Sequence, residues 1–434
     1  MSARSARTAR RALAATALAA CLAVLCGCSP APSGGPRIAA DRFGNGISDP
    51  ISIAIVGARP GEDVVLTAQA DTSAGTWSSR AIYAVPPDGT VRLWSQQAVT
   101  APWVRPDGGA PLWSMTGPSL SQHDLERAWA QNPVTIRLTA EQAGRRVAAT
   151  AVHRSALAAQ SVERDIDSAD LLGASGASQG GTLGALRVGR LFSPLPALVH
   201  RRPAVIVVDG DEGGASGSFV AARIAELGFP VFVLPAFGPE GQIPGSAALS
   251  VDAFDAARAW LAARPGVDPG RIVVYGTGRA APLALWFAAE EPGEVYGAIA
   301  AGGPTALLCT STAGTPVLYS HGRPVPCASP DRTIADTPIL PLARIPGPVL
   351  LACGTADQLL PSACDWQRAG EAARGRRGQA ETLYAIGAAH EIATPALLPI
   401  GLDGLPPATA QATEDARTAF WSRVTALLEE AIRS

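Results

Sequence analysis

The stretch RIVVYGTGRAAPLALWFAA, Arg271–Ala289, decides how the rest of the chain is read. Ile272, Val273, Val274 and Tyr275 form a short apolar, β-branched run of the kind that makes a buried parallel strand. A Gly-Thr-Gly turn follows, and Ala280–Ala289 has the Ala/Leu-rich composition of a helix. Strand, tight turn and helix together are the setting of a nucleophile elbow, G-x-S-x-G, in which small residues flank the centre because backbone packs on backbone. Gly276 and Ala280 are those flanking residues, and the centre is Gly278. Shifting the frame to make Thr277 the centre would put Tyr275 and Arg279 where small residues are needed. A dinucleotide-binding glycine turn is the other reading, but no G-x-G-x-x-G is present. The stretch therefore reads as an elbow that has lost its side-chain nucleophile.

Working outward, the chain alternates strand and helix from about Leu186, the pattern of an α/β sheet. Ala204–Val208 reads as a strand, Phe219–Leu227 as a helix, Val231–Leu234 as a strand and Val251–Ala263 as a helix. Beyond the elbow come strands near Gly297–Ala301, Val349–Cys353 and Glu381–Ile386. A closing amphipathic helix is read around Glu414–Ile432. In an α/β-hydrolase the catalytic acid and histidine follow the nucleophile in that order, on loops after strands. Asp357, in GTADQLLP, and His390, in GAAHEIATP, stand at those places. The other half of an oxyanion hole belongs to the loop after Ala204–Val208, which makes Gly210, Asp211 and Arg279 the oxyanion-hole positions. That loop, Asp209-Gly210-Asp211-Glu212-Gly213-Gly214, is acidic, which opposes a developing oxyanion. It reads as a solvated turn, with no metal-ligand spacing.

Upstream, residues 47–154 show short alternating segments (Ile51, Ile53, Ile55; Val134, Ile136, Leu138) with Pro-Gly and Pro-Asp-Gly turns, the pattern of a β-sandwich. Trp94, Trp103 and Trp113 read as core or inter-domain packing residues. The sequence divides into a signal peptide at 1–27, a flexible tether at 28–46, the sandwich at 47–154, a Gly/Ser/Ala linker at 155–185 and the α/β domain at 186–434. The first segment has a basic stretch with Arg4, Arg7, Arg10 and Arg11, a short apolar run Ala12–Val24, and then Leu25-Cys26-Gly27-Cys28. That run is too short to span a bilayer and fits a secretory signal. Leu-x-Gly-Cys resembles a bacterial lipobox, which implies cleavage before Cys28, acylation of Cys28 and a lipid-anchored place in the cell envelope.

Composition agrees with a large globular chain. It has 434 residues, 47% of them hydrophobic, and a net charge of −2, which gives no electrostatic case for nucleic acid. All 35 basic residues are Arg, a bias of genome composition rather than of chemistry. After Cys28 four cysteines remain, Cys309, Cys327, Cys353 and Cys364. An even count outside the cytoplasm suggests two disulfides, and of the three connectivities the simplest joins sequence neighbours, 309–327 and 353–364. Neither a metal nor a cofactor is expected.

Taken with their order and spacing, ISDPISIAIVGARPGEDVVLTA, PAVIVVDGDEGG, LPAFGPEG, ARPGVDPGRIVVYGTGRAAPLAL, IPGPVLLACGTADQLLPSA and IGAAHEI resemble the acyl-CoA thioesterase and bile acid-CoA:amino acid N-acyltransferase family. The resemblance implies an immunoglobulin-like β-sandwich before an α/β-hydrolase domain, and a Ser or Cys nucleophile with an Asp and a His. The Asp and His carry over to Asp357 and His390; the nucleophile's place is taken by Gly278. The function expected is binding of an acyl or other apolar small molecule, or of a partner, by a nucleophile-deficient protein. The alternative is an active thioester or ester hydrolase, or acyl transferase, using His390 and Asp357 with water or another nucleophile.

Overall fold

The computed structural model describes residues 35–42, 44–120, 122–129, 133–155, 161–167, 170–171, 187–195, 200–212, 215–237, 248–375, 380–400 and 404–433. The segment read as a signal peptide, and Cys28 after it, lie outside the described residues. The first domain is built from β1 (Arg37–Arg42), β2 (Ile51–Val56), β3 (Asp63–Thr72), β4 (Gly75–Ala84) and β5 (Thr90–Arg92). Helices α1 (Ala110–Trp113) and α2 (Gln122–Trp129) and strands β6 (Val134–Gln142) and β7 (Arg145–Arg154) follow. Two antiparallel sheets result, ordered β1-β2-β5 and β4-β3-β6-β7. Period-two alternation turns Val64, Leu66, Ala68 and Ala70 inward from β3 and Val134, Ile136 and Leu138 inward from β6, where they meet Ile53 and Ile55 of β2. Trp103 and Trp113 are buried edge to face with ring centroids 6.4 Å apart. Trp94, read as a packing residue, is instead 44% exposed.

Two expected boundaries shift. Strand β1 takes up part of the segment read as a tether, because Arg37–Arg42 pair in register along β2 and Ile38 packs into the sandwich core. Within the segment read as a linker, Ser161–Asp167 is β8, paired antiparallel with β9 (Arg187–Pro194) at the edge of the main sheet.

That sheet continues with β10 (Arg202–Glu212), α3 (Ala215–Glu226), β11 (Val231–Phe237), β12 (Leu249–Ser250), α4 (Val251–Ala262), β13 (Val267–Thr277), α5 (Ala281–Glu290) and β14 (Gly297–Ala301). After β15 (Leu318–Ser320) and β16 (Arg323–Pro324), the chain ends with β17 (Val349–Gly354), α6 (Ala363–Arg374), β18 (Ala380–Ala385) and α7 (Pro407–Arg433). The eight-stranded order is β18-β17-β14-β13-β10-β11-β9-β8, parallel from β18 to β11 and antiparallel at β9 and β8. Strands β12, β15 and β16 form a small separate sheet.

Alternate residues of the central strands feed two cores. Ile206, Val208, Val274, Ala300 and Leu351 pack under α4 and α5, while Val205, Val207, Val273, Tyr275 and Leu350 pack under α3 and α7. Both faces of the parallel strands are therefore covered, which is why they read as unbroken apolar runs. This is an α/β-hydrolase fold with a β-sandwich before it. Phe219, Leu398, Ile400 and Ala410 of the second domain lie in the sandwich's own core, so the two domains share buried surface.

Candidate active site

The site is assembled at the C-terminal ends of β10, β13, β14, β17 and β18. Strand β13 ends at Thr277, and a 3-10 turn, Gly278–Ala280, leads into α5. Gly278 has φ +52°, the left-handed conformation that a strand must adopt to reverse so sharply into a helix. Two neighbouring glycines are held by space. A Cβ on Gly276 would lie 2.3 Å from the Ala280 carbonyl oxygen, and one on Gly303 would lie 2.1 Å from that of Gly278. Gly278 is different: a Cβ there would meet only Nε2 of His390, at 3.6 Å. Nothing in the packing excludes a side chain at this position.

Asp357 sits in the loop after β17 with its side chain only 1% exposed. Oδ1 accepts the backbone N–H groups of Leu359 and Leu360 at 2.9 and 2.8 Å, and Oδ2 is 2.7 Å from Nδ1 of His390. A disulfide between Cys353, at the end of β17, and Cys364, in the first turn of α6, closes this loop. The other disulfide joins Cys309 to Cys327, so both bridges connect sequence neighbours as the simplest pairing anticipates.

His390 lies after β18 on a loop that α7 clamps. Thr413 accepts the Ala389 N–H at 2.9 Å, and the buried Arg417 donates to the carbonyls of Glu391 and Leu398 at 2.9 and 2.7 Å. Glu414 accepts the Leu397 N–H at 2.8 Å, and burial pushes its carboxyl up to about 8 against the pull of Arg417. Sequence reading missed Thr413 and Arg417. The available signal was a charged and a hydroxyl residue four apart in the closing helix, which puts both on one face.

Burial acts to lower the proton affinity of His390, but the hydrogen bond and charge of Asp357, with Glu391 beside it, outweigh burial and leave it above the ordinary value of 6.5. The stabilisation from this pair is therefore complete below the ordinary histidine value and fades as pH rises through the raised folded-state value. In an NMR titration of the His390 ring, the midpoint is expected above about 6.5, and in Asp357→Asn it should fall below it, because only burial then acts strongly. An unchanged midpoint in the variant would contradict this account of the pair.

A cavity of about 560 Å³ opens over the turn. Its wall includes Val208, Pro282, Leu308, Val317, Leu359 and Leu360, and its floor carries Gly278 and His390. Gly210 and Arg279 also line it; a Cβ on Gly210 would lie 3.3 Å from the Ala280 backbone nitrogen, so β10 runs hard against the elbow. The side chains of Asp211 and Glu212 lie outside the described residues. Asp209 corrects the reading of a solvated acidic turn. It is 3% exposed and accepts the Gly217 N–H at 2.9 Å, because a carboxylate at the start of α3 caps the unpaired N–H groups of the first turn.

The structure thus brings Gly278, His390, Gly210 and Arg279 around one cavity, with Cys309 in its wall and Asp357 behind His390. Cys327, Cys353 and Cys364 take part through the two bridges.

A protein of Mycobacterium tuberculosis described as uncharacterised, found in two strains, is 28% identical over 184 residues, which are 40% of this chain. The chain spans 59% of the length of that relative. Among solved structures, a bacterial heroin esterase is 16% identical with a TM-score of 0.40, covering 64% of this chain and 86% of its own. A putative dienelactone hydrolase from Klebsiella pneumoniae is 18% identical with a TM-score of 0.40, covering 62% and 98%. Residues 48–167 match the model of the acyl-CoA thioester hydrolase/BAAT N-terminal region. The matched residues take in most of the β-sandwich that precedes the α/β-hydrolase sheet.

Proposed function

We propose that this protein is a nucleophile-deficient member of the acyl-CoA thioester hydrolase/BAAT family that binds an acyl or other apolar small molecule over the elbow, and that it is held in the bacterial envelope by lipid on Cys28. The observation that carries the first part is Gly278: the turn, the Asp357–His390 pair and the cavity are all in place, and the position within reach of Nε2 carries only hydrogen. A histidine that meets no hydroxyl or thiol has only water to deprotonate. Water lacks the fixed position that makes a side-chain nucleophile effective, an advantage of about 7–11 kcal/mol in well-oriented systems. The cavity volume falls within the range of about 300–1,000 Å³ typical of small-molecule sites. Support for the anchor is the lipobox-like Leu25-Cys26-Gly27-Cys28 after a short apolar run, together with two disulfides that suit an oxidising compartment.

The second reading is an active envelope hydrolase or acyl transferase, favoured by the intact Asp357–His390 hydrogen bond. A fluorophore that brightens in apolar surroundings tests the binding reading. It is expected to bind the wild type and to be lost when Leu308→Arg and Val317→Arg fill the cavity. Binding that survives both substitutions would place the ligand elsewhere. Metabolic labelling with an alkyne fatty acid tests the anchor: label is expected on the wild type and absent from Cys28→Ala, and equal labelling of the two would reject it.

A further inference from the structure

The binding reading leaves open which head group the site selects, and the ring of His390 bears on it. Its Nδ1 lies 2.7 Å from Oδ2 of Asp357, and a carboxylate only accepts, so Nδ1 carries a proton in either ionisation state. The proton that His390 gains or loses is therefore on Nε2. That atom faces the space above Gly278, where a Cβ would stand 3.6 Å away. Gly276 and Gly303 are glycines because a side chain would strike backbone; Gly278 has room for one. This space lies between Nε2 and the elbow turn, on the floor of a largely apolar cavity.

We propose that, given the binding reading, the ligand is an alkanoate. Its tail lies along Val208, Leu308, Val317 and Leu360, and its carboxylate stands in the nucleophile's vacated place and accepts a hydrogen bond from Nε2–H of His390. A protonated ring needs an acceptor at that point, and a carboxylate bonded to a cationic donor makes about twice as strong a hydrogen bond as a neutral pair does. A neutral ring would offer Nε2 as an acceptor and would suit a hydroxyl head instead. Among the described residues, the charged groups around the ring are Asp357 beneath it and Asp209, Arg279 and Glu391 in the cavity wall. Asp357 is matched by the ring's own charge, and Asp209 is taken up by the Gly217 N–H. Glu391 raises the ring's proton affinity, while Arg279 brings positive charge to the exposed side. The ring's raised proton affinity widens the pH range over which it is a donor.

The test compares three ligands of one chain length, decanoate, decanol and decylamine, as competitors of the apolar fluorophore on the wild-type protein. At about pH 6 decanoate is expected to bind at least about tenfold more tightly than decanol, with decylamine weakest; above the midpoint of the ring's own NMR titration the advantage of decanoate should vanish. His390→Gln should erase that advantage at the lower pH, with an unchanged urea midpoint showing that the variant is folded. Decanol binding as tightly as decanoate at about pH 6, or decylamine binding best, would overturn the carboxylate assignment and leave the apolar-ligand reading standing. If none of the three displaces a fluorophore that fills the cavity, the apolar-ligand reading itself falls.

Discussion

Gly278→Ser is expected to raise aryl-ester hydrolysis by about ten- to a hundredfold over the wild type, well short of a full triad, which is worth about 10⁶-fold. A Ser Cβ would stand 3.6 Å from Nε2 of His390, so its Oγ can close to hydrogen-bonding distance. Two costs limit the gain. The position has φ +52°, and a non-glycine residue there costs on the order of 1–2 kcal/mol. Asp211 and Glu212 follow Gly210 in sequence, and carboxylates that face the hole would oppose the tetrahedral intermediate. Adding Asp211→Ser and Glu212→Gly should therefore raise the rate further, and His390→Ala should abolish the gain in either background. Failure of His390→Ala to do so would mean that the introduced serine works outside the proposed site.

Removing the Cys353–Cys364 bridge is the substitution expected to cost most in stability, about 3 kcal/mol for a loop of this length. The loop it closes, with a sequence separation of 11, contains Asp357, and the strand and helix it joins are otherwise linked only through that loop and packing. In Cys353→Ala/Cys364→Ala the urea midpoint should fall accordingly. The His390 titration midpoint should move toward the ordinary histidine value as Asp357 becomes less firmly placed. A stability loss under about 1 kcal/mol with an unmoved midpoint would show that the two backbone hydrogen bonds to Asp357 suffice to hold it.

Much of this architecture was legible in the sequence because burial on both faces writes itself as uninterrupted apolar runs. Ile272–Tyr275, Val231–Leu234 and Val349–Cys353 could be placed as strands for that reason, and Asp357 and His390 could then be placed by strand-end position. Strand β8 was not legible. In SVERDID only two residues face the interior, and a strand at a sheet edge needs no apolar alternation. Strand β1 hid for a related reason, since Arg37–Arg42 follows a Pro/Gly/Ser-rich stretch and buries little besides Ile38. The burial of Asp209 could not be foreseen either. An acidic residue in a glycine-rich stretch reads as solvated until the helix that it caps is known. The clamp on the His390 loop by Thr413 and Arg417 joins residues 24 and 26 positions apart in sequence through tertiary contact alone.

We propose that a hydrolase-type site has been kept in shape while the atom that attacks has been removed. The most direct measurement is the hydrolysis rate of acyl-CoA and of a short aryl ester by the wild-type protein beside His390→Ala. The account predicts negligible turnover by both, with no difference between them. Robust wild-type turnover that disappears in His390→Ala would contradict it and would make the protein a hydrolase that activates water.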